Sequence, residues 1–290
     1  MLTVAVYGSR RQQPQALQLI DNLLRELSAR GCQLVLHSKI FTSLTQGGFD
    51  PGLWNLYAVT DSDRFAAQLV ISIGGDGTFL RTARWVGDKE IPVVGVNSGH
   101  LGYLTAFDIT DTTGLLDMLF SARFYVEARS VVEVTGEHVP AGVWNCALNE
   151  IAILKHDSSS MITVDASIDG HHLACYKADG LLVATPTGST GYSLSVGGPV
   201  IQPSAPNFVI SPIAAHSLSM RPLVITDNSE LTFTVGGRSE TCFVSVDGNS
   251  FSVPVGSVMN IRKAAHCVKV VMPSDHGFAT TLREKLLWGV

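Results

Sequence analysis

The chain has 290 residues, 46% of them hydrophobic and only 16% charged, with a formal net charge of −5 at pH 7. That length predicts two domains with sizeable cores, and the mild negative charge argues against both a nucleic-acid footprint and a polybasic membrane surface. No stretch approaches the roughly 20 apolar residues of a membrane span, and the first residues carry no basic leader region. The five cysteines, Cys32, Cys146, Cys175, Cys242 and Cys267, are scattered and lack C-x-x-C spacing. Neither a disulfide framework nor a zinc site is expected, and a soluble, unprocessed cytoplasmic protein is.

In chain order, a first strand is predicted over 3–7, then an amphipathic helix through Leu17, Ile20, Leu23, Leu24 and Leu27, then strands over 33–37, 69–73 and 92–96. This βαβ alternation implies a mostly parallel sheet covered by helices. The stretch 43–63 is polar, glycine-bearing and weakly periodic, and reads as a mobile loop, with Asp61 and Asp63 solvated on it. Asp111 can cap a short helix through Leu115, Leu116 and Leu119, after which 124–134 turns strand-like.

Short strands then dominate, over 147–154, 162–168, 180–185, 208–213, 231–235, 242–246 and 268–272, with Asp169-Gly170 and Asp247-Gly248 as turns. The segment 279–288 returns to helical spacing. The expected organisation is an N-terminal Rossmann-like α/β domain over 1–123, a β-rich layered-sheet or sandwich domain over 124–272, and a tail over 273–290 that packs back on the first domain.

The most informative stretch is the β-branched run 70–73 emptying into Gly74-Gly75-Asp76-Gly77-Thr78, followed by the first turns of a helix. Glycines let backbone N–H groups approach an anion, and the helix dipole points the same way. A carboxylate in such a place must serve some purpose, either accepting a proton from an attacking hydroxyl or holding Mg²⁺ against phosphates. Neither G-x-x-x-x-G-K-[ST] nor G-x-G-x-x-G fits the loop, and Gly and Asp also dominate ordinary turns, so other segments must decide.

Three do. The loop Asn97-Ser98-Gly99-His100-Leu101-Gly102-Tyr103-Leu104 follows another strand of the parallel sheet, placing it at the carboxyl edge where open α/β sheets bind ligands. Asn149-Glu150 sits within apolar strand residues, where a carboxylate should be paired or functional. The run from Asp179 to Ser195 offers a strand followed by a loop rich in hydroxyls and glycine, able to donate to a sugar, base or phosphate.

With these residues in order, the chain resembles the NAD kinases over nearly its whole length. Gly-Gly-Asp-Gly-Thr alone is shared with diacylglycerol and sphingoid kinases, and a close variant occurs in phosphofructokinases. The run 179–195 followed by Ile210-Ser211-Pro212-Ile213-Ala214-Ala215-His216-Ser217 is far more specific. The resemblance implies phosphorylation of the 2′-hydroxyl on the adenosine ribose of NAD⁺, with ATP and Mg²⁺, giving NADP⁺ and ADP. It implies Asp76 as general base, with Gly74, Gly75, Gly77, Thr78 and Arg81 on the phosphate side.

It further implies Asn149 and Glu150 as contacts to base and ribose. Thr187, Thr190, Gly191, Tyr192, Ser193, Leu194 and Ser195 become the adenine-side pocket, and Lys177, Asp179, Ala214 and Asn249 further binding positions, partly across a subunit boundary in a homodimer or homotetramer. Gly191 stands where the family commonly has alanine and Lys177 where it often has arginine, a looser backbone and a point charge in place of a planar fork. A lipid kinase and a catalytically silent NADP-binding module are the competing readings; the negative charge weighs against the first, and the intact Asp76 and Asn149-Glu150 against the second. His171-His172 reads as a turn pair and His216 as a packing or hydrogen-bonding histidine, none with a metal-ligand partner at useful spacing.

Overall fold

The protein is described by a computed structural model covering residues 1–99, 102–156 and 161–289. His100 and Leu101 of the expected carboxyl-edge loop lie outside the described residues. In chain order the elements are β1 (Thr3–Gly8), α1 (Pro14–Ala29), β2 (Gln33–His37), α2 (Ser38–Gln46), β3 (Leu56–Thr60), β4 (Leu69–Ile73), α3 (Asp76–Val86), β5 (Val93–Asn97), β6 (Phe107–Asp108), α4 (Thr112–Phe120) and β7 (Phe124–Arg129). They continue with β8 (Val132–Thr135), β9 (Cys146–Ala147), β10 (Glu150–Lys155), β11 (Ile162–Ile168), β12 (His171–Ala178), β13 (Gly180–Ala184), α5 (Tyr192–Ser195), β14 (Asn207–Ile213) and β15 (Leu223–Thr226). Last come β16 (Leu231–Gly237), β17 (Thr241–Val246), β18 (Asn249–Pro254), β19 (Val258–Lys263), β20 (Val268–Pro273) and α6 (Phe278–Leu286).

The chain divides into two compact units, Met1–Ala128 with Val268–Val290, and Arg129–Cys267. The first is an α/β unit whose sheet runs β3-β2-β1-β4-β5-β20-β7, with β6 against β5. Pairing is parallel from β3 through β5 to β20. Strands β4 and β5 are buried at every position, as expected for parallel strands covered on both faces. Ile20, Leu23, Leu24 and Leu27 of α1 and Leu115 and Leu116 of α4 pack with Val4, Val6, Leu34, Ile71 and Val94 in one core. Asp111 caps α4 as expected, its carboxylate accepting from the Gly114 N–H at 2.9 Å.

Two expectations change here. The stretch 43–63 is not a loop: it holds the end of α2, a 3-10 turn at Pro51–Leu53 and the edge strand β3. Ile40 and Leu44, one turn apart, are fully buried and fix α2 to the core, and Asp61 lies at its start, beside Ser38 and the His37 ring. The strand expected over 268–272 belongs not to the β-rich part but to the parallel sheet, where Val270 pairs with Val93.

The second unit consists of two six-stranded sheets, β15-β14-β13-β10-β17-β18 and β12-β11-β16-β19-β8-β9. Inward residues of both, including Ile151, Ile153, Leu181, Val183, Phe208 and Val244 from the first and Val132, Val164, Phe233 and Ile261 from the second, form one core. This is the layered sandwich expected from the alternating strands. The outer positions of the first sheet, Ala152, Leu182, Ala184 and Val209, are covered in turn by Val196 and Ile201 of the loop that follows β13. The strand-like run 124–134 splits into β7 and β8 in different sheets, the strand expected over 147–154 is interrupted at Leu148 and Asn149, and the pair His171-His172 opens β12.

Candidate active site

In the parallel sheet β1 lies between β2 and β4, so the chain leaves β1 and β4 toward a point where the strand order reverses. Ligands of open α/β sheets bind outside the carboxyl ends at such a point. Three loops meet there. Gln12, after β1, donates through Nε2 to the Ile73 carbonyl at 3.4 Å and accepts through Oε1 from the Ser98 hydroxyl, after β5, at 2.8 Å. The sequence gives Gln12 no motif, and only its placement reveals it.

The glycine loop ends β4 and becomes the N-terminus of α3, with Gly75 as N-cap and Asp76 as the first helical residue. Gly74 has φ of +151°, and a Cβ there would meet Thr78 Oγ1 at 2.4 Å. The Thr78 N–H donates to the Gly75 carbonyl at 2.8 Å, and Thr78 Oγ1 accepts from Arg81 Nη2 at 3.1 Å. Arg81 thus lies back over the first turn, while Gly77 is exposed.

Asp76 does not point freely outward. Its two carboxylate oxygens accept the backbone N–H groups of Tyr103 and Leu104 at 2.7 and 2.8 Å. The donor segment is itself held: Ala106 N–H donates to the Gly95 carbonyl at 3.1 Å, and Lys285 of α6 donates to the carbonyls of Thr105 and Tyr103. Each carboxylate oxygen keeps lone-pair capacity for a further proton or metal contact, so the anchoring orients the group without consuming it. Gly95 and Gly102 permit this: a Cβ on Gly95 would meet the Leu104 carbonyl at 2.6 Å, and one on Gly102 would meet Asp76 Oδ1 at 2.3 Å.

In the second unit, Asn149 and Glu150 lie where the chain passes from β9 in one sheet to β10 in the other. The backbone there is fully engaged. Leu148 N–H donates to Asp247 Oδ2 at 2.8 Å, and Asn149 and Glu150 N–H to Asp247 Oδ1 at 2.8 and 3.1 Å. Thr185 donates its hydroxyl to the Leu148 carbonyl and its N–H to that of Asn149. The side chains are less completely satisfied: the Tyr192 N–H donates to the Glu150 carboxyl, but Asn149 Oδ1 and Glu150 Oε2 are buried without a protein hydrogen-bond partner. Burial, and then the charge of Asp247, push the Glu150 carboxyl up to about 7, against the Tyr192 N–H, which lowers it.

The loop after β13 packs on this pair. A Cβ on Gly188 would meet the Asn149 carbonyl at 2.0 Å, and one on Gly191 would meet Glu150 Oε2 at 3.3 Å and Asn149 Nδ2 at 3.4 Å. Thr187 is buried and accepts from Arg129 Nη1 at 3.3 Å, and Thr190 donates to the Thr187 carbonyl. Ser193 is buried with its hydroxyl unpartnered, whereas Tyr192, Leu194 and Ser195 are exposed. Of the expected residues, then, 149, 150, 187, 190, 191 and, through its N–H, 192 come together. Arg129 and Asp247 join them unannounced by any binding motif, Asp247 having read only as a turn residue.

Lys177 is exposed on β12, and its carbonyl accepts from the N–H of His216, which is exposed rather than packed. Asp179 pairs with Lys155 at 2.7 Å. Ala214 is exposed with φ of +49°, and Asn249 is exposed just after the Asp247-Gly248 turn.

Comparison with known proteins agrees with this geometry. Residues 9–124 match the ATP-NAD kinase N-terminal domain and residues 148–272 the ATP-NAD kinase C-terminal domain. The NAD kinase of Porphyromonas gingivalis is 41% identical over 290 residues, covering 100% of this chain and 99% of its own. That of Bacteroides fragilis is 47% identical over 229 residues, 79% of each chain. Among solved structures, yeast NADH kinase complexed with NADH has a TM-score of 0.88 at 25% identity, covering 100% of this chain and 88% of that one. An NAD kinase from Archaeoglobus fulgidus in complex with ATP has a TM-score of 0.73 at 25% identity, covering 98% and 97%.

A carboxylate held at a glycine-led helix N-terminus, on this fold, defines a nucleotide-dependent phosphotransferase. The chain belongs to the NAD kinase family, whose reaction is the ATP-dependent phosphorylation of NAD. No helix of the described residues is long and apolar enough to cross a membrane.

Proposed function

We propose that the chain phosphorylates the 2′-hydroxyl on the adenosine ribose of NAD⁺, with Asp76 as general base and Asn149 and Glu150 as the NAD-binding pair. The observation that carries this reading is the pair of buried acceptors, Asn149 Oδ1 and Glu150 Oε2, left without protein partners on a backbone that is otherwise fully hydrogen-bonded. Buried polar atoms are rarely left unpaired without a ligand or water to meet them. Ribose hydroxyls and adenine amino groups are donors of the right kind, and a Glu150 carboxyl poised near neutrality can also donate in its protonated form.

Asp76 takes the hydroxyl proton as the γ-phosphoryl group transfers. Two backbone N–H groups fix its direction, and in a reaction with a loose transition state positioning and charge neutralisation supply most of the acceleration. Gly74, Gly75, Gly77, Thr78 and Arg81 serve the donor phosphates at the positive end of α3. Were Asp76 to hold an Mg²⁺ in place of accepting the proton, the ion would supply neutralisation of phosphate charge.

Thr187, Thr190, Gly191, Tyr192, Ser193, Leu194 and Ser195 line the adenine side. Lys177, Asp179, Ala214 and Asn249 serve the rest of the dinucleotide in a cytoplasmic homodimer or homotetramer. Incubation with ATP, Mg²⁺ and NAD⁺, followed by ³¹P spectroscopy of the product, tests the reaction: a new 2′-phosphomonoester is expected, and its absence overturns the assignment. Ultracentrifugation tests the assembly, and a fully active monomer would end it.

A further inference from the structure

Asp247 begins the two-residue turn between β17 and β18, with φ of +47°, followed by Gly248 at +80°. Asn or Gly would satisfy such a turn equally well. What neither provides is a carboxylate, and this one is spent on three consecutive N–H groups, those of Leu148, Asn149 and Glu150. These are the groups that lose their strand partners where the chain crosses from one sheet to the other. The Asp247 N–H meanwhile donates to the Glu150 carbonyl at 3.1 Å. The crossing is therefore built around one side chain from a distant hairpin.

We propose that Asp247 is a positioning residue for NAD binding: by holding the crossing backbone it sets the directions in which the Asn149 and Glu150 side chains leave it. The inference rests on the reading of Asn149 and Glu150 as the NAD-binding pair. Asp247 also faces Glu150 electrostatically, and its charge adds to burial in raising the Glu150 carboxyl. Burial, then Glu133 and then the same Asp247 carboxylate raise the buried Cys146 thiol to about 11. Asp247 is itself raised by burial, against the three N–H bonds that lower it.

The test compares Asp247→Asn, Asn149→Ala and Glu150→Gln with the parent, by calorimetric titration with NAD⁺, by kinetics in ATP and by the ¹³C shift of the Glu150 carboxyl against pH. Asparagine offers one acceptor where three N–H groups need two, so Asp247→Asn is expected to raise the NAD⁺ Kd about 10-fold, the loss of one buried hydrogen bond. The KM for ATP should stay within about twofold, since Asp76 and its loop are untouched, and the Glu150 titration should move to lower pH. Parental NAD⁺ affinity and an unmoved titration in Asp247→Asn, with Asn149→Ala and Glu150→Gln both weakened, would overturn the positioning role alone. Parental affinity in Asn149→Ala and Glu150→Gln would instead overturn the reading of the pair. Should Asp247→Asn not fold, the parent decides: the amide protons of Leu148, Asn149 and Glu150 are expected to titrate together, with a midpoint that NAD⁺ shifts, and independent behaviour refutes the proposal.

Discussion

Asp76 and Gly102 are so close that a Cβ on the glycine would lie 2.3 Å from Asp76 Oδ1 and 2.9 Å from its Cγ. Gly102 precedes the two residues whose N–H groups hold the carboxylate, so the space it leaves is the space the carboxylate occupies. A Gly102→Ala variant must move either the carboxylate or its donors. A displacement of about 1 Å in a catalytic group costs on the order of 100-fold in rate. The kcat of Gly102→Ala is expected to fall by that much with NAD⁺ affinity unchanged, measured by steady-state kinetics and calorimetry. Parental turnover would show that the carboxylate tolerates the shift.

Asp76→Asn removes the base while keeping the shape, and kcat should fall by about 10²–10⁴. A second effect follows from the anchoring. Asparagine has one side-chain acceptor, so one of the Tyr103 and Leu104 N–H groups will face an amide nitrogen, costing about 1–3 kcal/mol. The variant should therefore also unfold at lower urea concentration, with NAD⁺ affinity nearly unchanged. Turnover within a few-fold of the parent would return Asp76 to a structural role.

How far the sequence revealed this depends on the distance between partners. Asp76, Asn149 and Glu150 could be singled out as candidates because each sits in a local pattern of residue types. The groups that hold them could not be: Tyr103 lies 27 positions from Asp76, and the amides held by Asp247 lie 97 to 99 positions away. Gly102 and Asp247 accordingly read only as loop and turn residues. The same limit explains β20, whose residues look like any strand while its parallel partner β5 is far back in the chain. Helix α2 escaped for a different reason. It is nine residues long, carries no acidic residue in its first turn and no basic one in its last, and is capped by a histidine ring nitrogen rather than a hydroxyl or carboxylate. Strand β3 hid on the sheet edge, with Tyr57 and Val59 outward, so its apolar residues do not alternate with polar ones.

Gly75 separates a structural glycine from a ligand-serving one. Its backbone, at φ −90° and ψ −170°, suits any residue, and an added Cβ would meet nothing within 4 Å. Gly75→Ala should leave the free protein as stable as the parent, or more stable by about 0.4–1 kcal/mol. If bare backbone there admits the donor phosphates, the apparent KM for ATP should nonetheless rise about 10-fold, the equivalent of one charge-assisted contact. Gly74→Ala, at φ +151° and 2.4 Å from Thr78 Oγ1, should instead lose stability. Unchanged ATP kinetics in a folded Gly75→Ala protein would remove that residue from the phosphate site.

The Glu150 carboxyl, raised from 4.5 to about 7 chiefly by burial and then by Asp247, makes stability depend on pH in a definite direction. Between those two values the folded chain keeps a proton that the unfolded chain has released. The unfolded state therefore binds fewer protons, and stability falls as pH rises through this window. The loss is complete above about pH 7 and amounts to at most about 3 kcal/mol. Asp247, also raised by burial, contributes with the same sign from its own lower starting value. Glu150→Gln removes one of these two ionisations. Its unfolding free energy, from urea titrations at pH 5 and pH 8, should change less between the two than the parent's, with the variant the relatively more stable at pH 8. A parent whose stability rises from pH 5 to pH 8, with the same rise in Glu150→Gln, would show that burial and Asp247 do not hold the Glu150 carboxyl near neutrality.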